Sequence, residues 1–163
     1  MATESVAPAG LSVVVPTWRD DAALSRLLAQ LATLGPRADE LLVVDGADSA
    51  ATRELASGAG ARYLPSPAGR GTQLNRGTRA AGGAVRWFLH ADAVVAPHSV
   101  AAILRSLEAG AAFERAGGFA ESLLFEEVPL VRALQRGGGF RVLETPIAVS
   151  PVRLARWHRR LKD

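Results

Sequence analysis

The chain contains no cysteine, which excludes disulfides and thiolate metal sites. No apolar run approaches the ~20 residues that a membrane-spanning helix needs. Residues 1–10 form a small, mildly acidic leader without the basic start and apolar block of a secretory signal, which predicts a cytoplasmic protein. Lysine is almost missing: of 19 cationic side chains, only Lys162 is not arginine. The body also lacks a basic, aromatic-studded stripe, so no nucleic-acid partner is expected. No internal repeat recurs and no linker is long enough to divide the chain. Residues 11–150 therefore read as one domain, with 151–163 as a basic C-terminal helix.

A chain of 163 residues, 48% of them hydrophobic, can bury a real core. The net charge of +3 is uneven. Arg153, Arg156, Arg159, Arg160 and Lys162 face only Asp163 in the tail, so the body is close to neutral. Leu154, Trp157 and Leu161 recur at helical spacing between those cations. Such a helix either packs on the domain or makes peripheral contact with an anionic membrane surface.

Along the chain, β-branched runs alternate with helical periodicity. Leu11-Ser12-Val13-Val14-Val15-Pro16 and Leu41-Leu42-Val43-Val44-Asp45 read as strands, as do residues 61–64 and 85–89. Between them, Ala23, Leu24, Leu27, Leu28 and Leu31 mark a helix that Asp20 or Asp21 is placed to cap, ended by Gly35-Pro36. Further helices are expected at 48–58, after Gly69, and at 99–107. The runs are continuous rather than alternating, as in strands covered on both faces. This rhythm predicts an α/β fold with a mainly parallel, Rossmann-related sheet flanked by helices. After Gly110 it breaks down, leaving an amphipathic stretch at 126–136 and a short strand at 140–143.

Three strands run into acids or acid-bearing turns: Pro16-Thr17-Trp18-Arg19-Asp20, Asp45-Gly46 and His90-Ala91-Asp92. Each acid alone is also what a cap or a turn requires. Three at equivalent strand ends either accept hydrogen bonds from a ligand or hold a hard divalent cation. Gly69-Arg70-Gly71-Thr72-Gln73-Leu74-Asn75-Arg76-Gly77 opens a helix, where backbone N–H groups and Arg70 favour an anion such as a pyrophosphate. It is neither a Walker loop nor the dinucleotide fingerprint, which belongs after strand one, where Pro16-Thr17 stands.

Taken together, Ser12-Val13-Val14-Val15-Pro16-Thr17, Val43-Val44-Asp45-Gly46, Gly69-Arg70-Gly71 with Leu74-Asn75 and Gly77, and Phe88-Leu89-His90-Ala91-Asp92 resemble a family 2 glycosyltransferase of the GT-A fold. Leu89-His90-Ala91-Asp92 resembles, more narrowly, the bacterial radical-SAM/selenodomain-associated subgroup. Gly117-Gly118-Phe119 followed by Leu124-Phe125-Glu126-Glu127-Val128 is similar to a later family segment. The resemblance implies a nucleotide-diphosphate sugar donor and an acceptor hydroxyl whose identity it leaves open. It implies that Pro16, Thr17, Asp20 and Ala91 border the nucleoside and that Asp45 accepts from the base edge. Arg70 would lie near the diphosphate. Asp92 would hold Mg²⁺ or Mn²⁺, with His90 at the first position of the family's Asp-x-Asp motif. Glu127, beside Glu126, would take the acceptor's proton in an inverting displacement.

The chain departs from the family pattern in several places. His90 replaces an acid, Arg19 an asparagine, Asp20 a glutamate, and Ala50 stands at an acidic position. Glu126-Glu127 replaces Glu-Asp, and such a pair also suits a helix start. Only Ala111-Ala112-Phe113-Glu114-Arg115-Ala116 separates Gly110 from Gly117, so the acceptor half reads as truncated. A shortened sheet leaves an edge or apolar surface that predicts self-association into a homo-oligomer. Two other functions compete with transfer. One is a non-catalytic nucleotide-binding or interaction module derived from such an enzyme. The other is a nucleotidyltransferase, disfavoured because strand one does not lead into a glycine-rich, Lys/Arg-bearing loop.

Overall fold

The computed structural model describes residues 10–106, together with 132, 136 and 147–149. Its elements are β1 (Leu11–Thr17), α1 (Asp21–Thr33), β2 (Glu40–Asp45), α2 (Ala50–Gly58), β3 (Arg62–Pro65), α3 (Arg70–Ala80), β4 (Val85–Phe88), β5 (Ala93–Val95), α4 (Ser99–Ser106) and β6 (Ile147–Val149). The first four strands form one parallel sheet in the order β3-β2-β1-β4. This is the expected α/β architecture, and every β-α alternation read up to β4 is present.

The continuous apolar runs follow from burial on both faces. All seven residues of β1 are buried. Val13 and Val15 pack with Leu24, Leu27 and Leu28 of α1, Val43 of β2 and Ala56 of α2. Val14, Leu42 and Val44 face the other way, against Leu74 of α3. Each fully buried Val or Leu contributes roughly 1.5–3 kcal/mol. Helices α1 and α2 thus cover one face and α3 the other. The chain moves outward from β1 to β3, then returns through α3 to place β4 on the opposite side of β1. That reversal makes the gap between the ends of β1 and β4 a topological switch point, where ligands of open α/β sheets bind.

At the amino edge the strand starts are tied by acids. Asp39 Oδ2 accepts from Leu11 N (2.7 Å), and Glu40 Oε2 accepts from Ser12 Oγ (2.7 Å) and Gly82 N (2.9 Å). Ser12 Oγ in turn accepts from Gly83 N (2.9 Å). This edge is closed.

Two short elements depart from the expected pattern. β5 pairs antiparallel with β6, matching Val94 to Ala148. Three-residue strands carry too little periodicity to be read from sequence. The strand expected at 140–143, the amphipathic stretch at 126–136 apart from Arg132 and Arg136, the leader up to residue 9 and the basic tail all lie outside the described residues. No helix among the described residues is long and apolar enough to cross a membrane.

Helix α3 approaches the sheet closely because Gly77 has no side chain. A Cβ there would overlap Val14 Cγ1 and sit 3.0 Å from Val44 Cγ2. In a solvent-facing helix Gly→Ala gains about 1 kcal/mol. Here overpacking reverses the sign, and Gly77→Ala is expected to destabilise by roughly 1–3 kcal/mol. Urea unfolding should show the lower midpoint.

Candidate functional site

The crevice is built from the carboxyl ends of β1, β2 and β4 and the start of α3. Thr17, which ends β1, lies opposite Asp45, which ends β2. β4 stops lower, with Phe88 opposite Val14, and Leu89 N then donates to Val14 O (3.0 Å). The step leaves the β4 side of the switch point open to the chain that follows.

Pro16 and Thr17 are buried beneath the crevice, and Thr17 Oγ1 has no hydrogen-bond partner among the described residues. Beyond them Trp18 stands 50% exposed, with the Arg19 guanidinium 5.1 Å from its ring centroid. Arg19 has φ 52°, a left-handed conformation that a side chain such as arginine rarely adopts. Asp20 occupies the cap position of α1, but its side chain makes no cap hydrogen bond. The helix-cap expectation is met only by its backbone, whose carbonyl accepts from Leu24 N at 3.0 Å. Asp21 instead accepts from Thr52 Oγ1 (2.7 Å), joining α1 to α2.

Asp45 is wholly buried. Its Oδ1 accepts from Ala47 N (2.9 Å), and its Oδ2 from Ser49 N (2.7 Å) and Tyr63 OH (3.1 Å). These bonds satisfy the carboxylate and fold the chain into a tight turn, in which Asp48 takes a left-handed φ of 48°. Ser49 then caps α2 through Thr52 N (3.4 Å). Tyr63 shares its proton with a second carboxylate, Asp48 Oδ1 at 3.1 Å. Arg53 pairs with Asp48 (2.9 Å) and lies 4.9 Å from the Tyr63 ring centroid. Burial, followed by the bonds to Asp45 and Asp48, raises the Tyr63 hydroxyl from its ordinary 10.0 to about 12.

α3 starts at Arg70, after Gly69 at φ 136°, with no side-chain cap on its first turn. Uncapped first-turn N–H groups next to a partly buried Arg70 favour an anion. One turn in, Gln73 is buried, and its Nε2 donates to Thr17 O (2.7 Å) and Val44 O (2.8 Å).

After β4 the chain turns through His90-Ala91-Asp92, the His90 carbonyl accepting from Ala93 N (3.0 Å). Ala91 is buried, while His90 and Asp92 are half-buried and each engaged in an interaction. Among the described residues no three His, Asp or Glu side chains converge as a closed metal cage. Glu126 and Glu127 lie outside the described residues.

The topology therefore brings the ends bearing Thr17, Asp20, Asp45, Ala91 and Asp92 to one edge, with Arg70 at the adjoining helix start. Trp18, Tyr63 and Gln73 escaped the sequence reading. Only the exposure of Trp18 singles it out, and sequence does not give exposure. Gln73 carried a signal, a polar residue one helical turn before Gly77 on the inward face. Tyr63 lies within the strand read at 61–64, and nothing in its neighbours marks it.

Tyr63 is the chain's one tyrosine, so its phenolate absorbance reports on this network directly. The titration midpoint is expected near 12, and Asp48→Ala should move it toward 10.0. Since the folded value lies above the unfolded one, the stabilisation is complete below pH 10.0 and is lost as pH rises through about 12. A midpoint at 10.0 in the folded wild type would contradict the network.

The family described as glycosyl transferase family 2 matches residues 12–133. Sequence comparison with curated proteins gives no match. Among solved structures, the fold is similar to glucosyl-3-phosphoglycerate synthase from Mycobacterium tuberculosis in complex with Mn²⁺, UDP and glucosyl-3-phosphoglycerate, at 22% identity and TM-score 0.54, covering 87% of this chain and 57% of that one. It is similar to mannosyl-3-phosphoglycerate synthase from Rubrobacter xylanophilus, at 23% identity and TM-score 0.53, covering 61% and 37%. A mannosyltransferase from Pyrobaculum calidifontis in complex with GDP-Man and Mn²⁺ matches at 22% identity and TM-score 0.52, covering 63% and 34%. The chain thus spans between 34% and 57% of these proteins' lengths. With a GT-A-like sheet and a family match over three quarters of its length, the chain belongs to glycosyl transferase family 2.

Proposed function

We propose that this protein transfers a sugar from a nucleotide-diphosphate donor to an acceptor hydroxyl, with inversion at the anomeric carbon and with the help of Mg²⁺ or Mn²⁺. The observation that carries this reading is the meeting of four segments at the β1/β4 switch point in a chain of this family. They are the exits of β1, β2 and β4 and the uncapped start of α3.

Each segment has a part. The first-turn N–H groups of α3 and Arg70 receive the diphosphate. Trp18 offers a flat exposed face to a base or sugar ring. Asp20, its side chain not spent on capping, borders the same mouth. Asp45, buried and bonded to Ala47, Ser49 and Tyr63, acts through the turn it holds. Pro16 and Ala91 form the floor.

The residues present fit a divalent cation shared with a ligand. Mg²⁺ is ordinarily held by one or two carboxylates plus substrate phosphates. Asp92 supplies the carboxylate, and no closed protein cage is required. His90 stands beside it, a less natural ligand for a hard cation. Bound there, the cation supplies neutralisation of charge on the leaving diphosphate. Glu127, with Glu126 next to it, takes the acceptor's proton. Two proteins of similar fold were solved with Mn²⁺ and UDP or GDP-Man, which supports a nucleotide-diphosphate donor here. Leu89-His90-Ala91-Asp92 supports the narrower radical-SAM/selenodomain-associated placement.

His90 at the first metal position also favours a second reading, a module that binds nucleotide without transfer. Titration calorimetry with UDP, GDP and their sugars, with and without Mn²⁺, tests both. Metal-dependent binding is expected, weakened about 10-fold or more by Asp92→Ala, as for loss of metal-site residues generally. No metal-dependent binding in the wild type would overturn the proposal. Binding without nucleotide release in the presence of acceptors would leave the module.

A further inference from the structure

We infer that Gln73 is a positioning residue of the donor site: it sets the spacing of the β1 and β2 exits and fixes the start of α3 against both. The inference rests on the donor-site reading above and names the residue that holds that site together. The Gln73 side chain is buried, only 4% exposed. Both protons of its amide are used, one on the Thr17 carbonyl at 2.7 Å and one on the Val44 carbonyl at 2.8 Å. Those carbonyls belong to neighbouring strands, at the last residue of β1 and the penultimate residue of β2. Thr17 O also accepts from Gly46 N at 3.0 Å, so the same carbonyl is tied to the turn that Asp45 organises. On its own helix, Gln73 N donates to Gly69 O at 2.9 Å, closing the first turn that Arg70 begins.

One side chain therefore joins the segment bearing Thr17 and Trp18, the Asp45 turn, and the proposed diphosphate site. Gly46 is part of the fit. A Cβ there would lie 3.2 Å from Gln73 Cδ and 3.2 Å from Ala68 Cα. No other residue type offers two N–H donors at this reach without a charge or a second length of chain. Asparagine is one carbon short, glutamate brings a carboxylate against two carbonyls, and methionine brings no donor. Losing the tie leaves two carbonyls at the strand ends without those bonds and lets the three segments drift apart. Binding that needs all three in register suffers more than folding does.

The test compares full-length Gln73→Met with Thr78→Val. Thr78 is buried in the same helix and bonds only to Leu74 O (2.8 Å) among the described residues, away from the crevice. Stability is measured by urea unfolding. UDP and GDP affinity with Mn²⁺ is measured at matched folded fraction, and amide exchange is followed at residues 44–49 and 69–73. Gln73→Met is expected to lose about 10-fold or more in affinity and to exchange faster at both segments, while Thr78→Val binds like wild type. If Gln73→Met fails to fold, Gly46→Ala serves in its place. It keeps the carboxamide but crowds it, and should give a smaller loss in the same direction. Wild-type affinity in Gln73→Met, or a loss no greater than in Thr78→Val at equal stability, overturns this inference alone. A wild type that binds neither nucleotide overturns it together with the donor-site reading.

Discussion

Parallel strands that end side by side leave carbonyls and amides without ladder partners, and a buried edge must satisfy them by other means. The two edges of this sheet meet that constraint differently. At the amino edge Asp39, Glu40 and Ser12 bind the strand starts to one another and to Gly82 and Gly83. At the carboxyl edge a strand-end acid and the chain beyond the sheet supply the partners. Asp45 gathers the amides of its own turn, Gln73 reaches in from α3, and the His90 carbonyl takes the amide of Ala93. The second solution keeps the strand ends apart and surrounds them with half-buried polar residues. In open α/β sheets ligands bind outside that edge, and the switch point between β1 and β4 decides where along it.

The seat of α3 links the core to this edge. Gly77 lets the helix approach Val14 and Val44 closely. Gln73 lies four residues earlier on the same helix face, about 6 Å along the axis. That displacement carries it from the middle of β1 to the strand ends, where Thr17 and Val44 present their carbonyls. A wider approach at Gly77 would lift the carboxamide out of reach. Packing in the interior and polar geometry at the site are therefore one constraint, imposed by a glycine and read out by a glutamine.

Much of the frame was legible because burial on both faces writes itself as unbroken apolar runs. Leu41-Leu42-Val43-Val44-Asp45 and the strand from Val85 could be placed from residue type alone, and with them the edge that gathers Asp45 and Asp92. The use of each acid was not legible. Asp20 reads as a cap, and its side chain makes no cap bond; the donors that Asp45 gathers from Ala47, Ser49 and Tyr63 are not announced by residue type. Asp45 reaches a partner 18 residues away and Glu40 one 42 residues away, and periodicity does not encode either. β5 and β6 were missed because their pairing spans more than fifty residues and each is only three residues long.

The two strand exits flanking the proposed nucleoside mouth are both strained, and the magnitudes show what holds them. Arg19 and Asp48 sit in the left-handed region, at about 1 kcal/mol or more each. The exposed contacts beside them are weak. An Arg53–Asp48 pair with both side chains 59% exposed is worth roughly 0–1 kcal/mol, and a cation–π contact at a surface about 0.5–1 kcal/mol. These barely offset the strain. Buried hydrogen bonds to an ionised carboxylate contribute about 1.5–3 kcal/mol each, and Asp45 accepts three. The shape of the β2 exit is thus set by Asp45 from beneath, while Asp48, Arg53 and Tyr63 finish its rim. On the β1 side, among the described residues, no buried acid gathers the backbone N–H groups around Arg19. The bonds that Thr17 O receives from Gly46 and Gln73 are the ones that tie that exit to the β2 turn, so the strained Trp18–Arg19 corner takes its position from its neighbour strand.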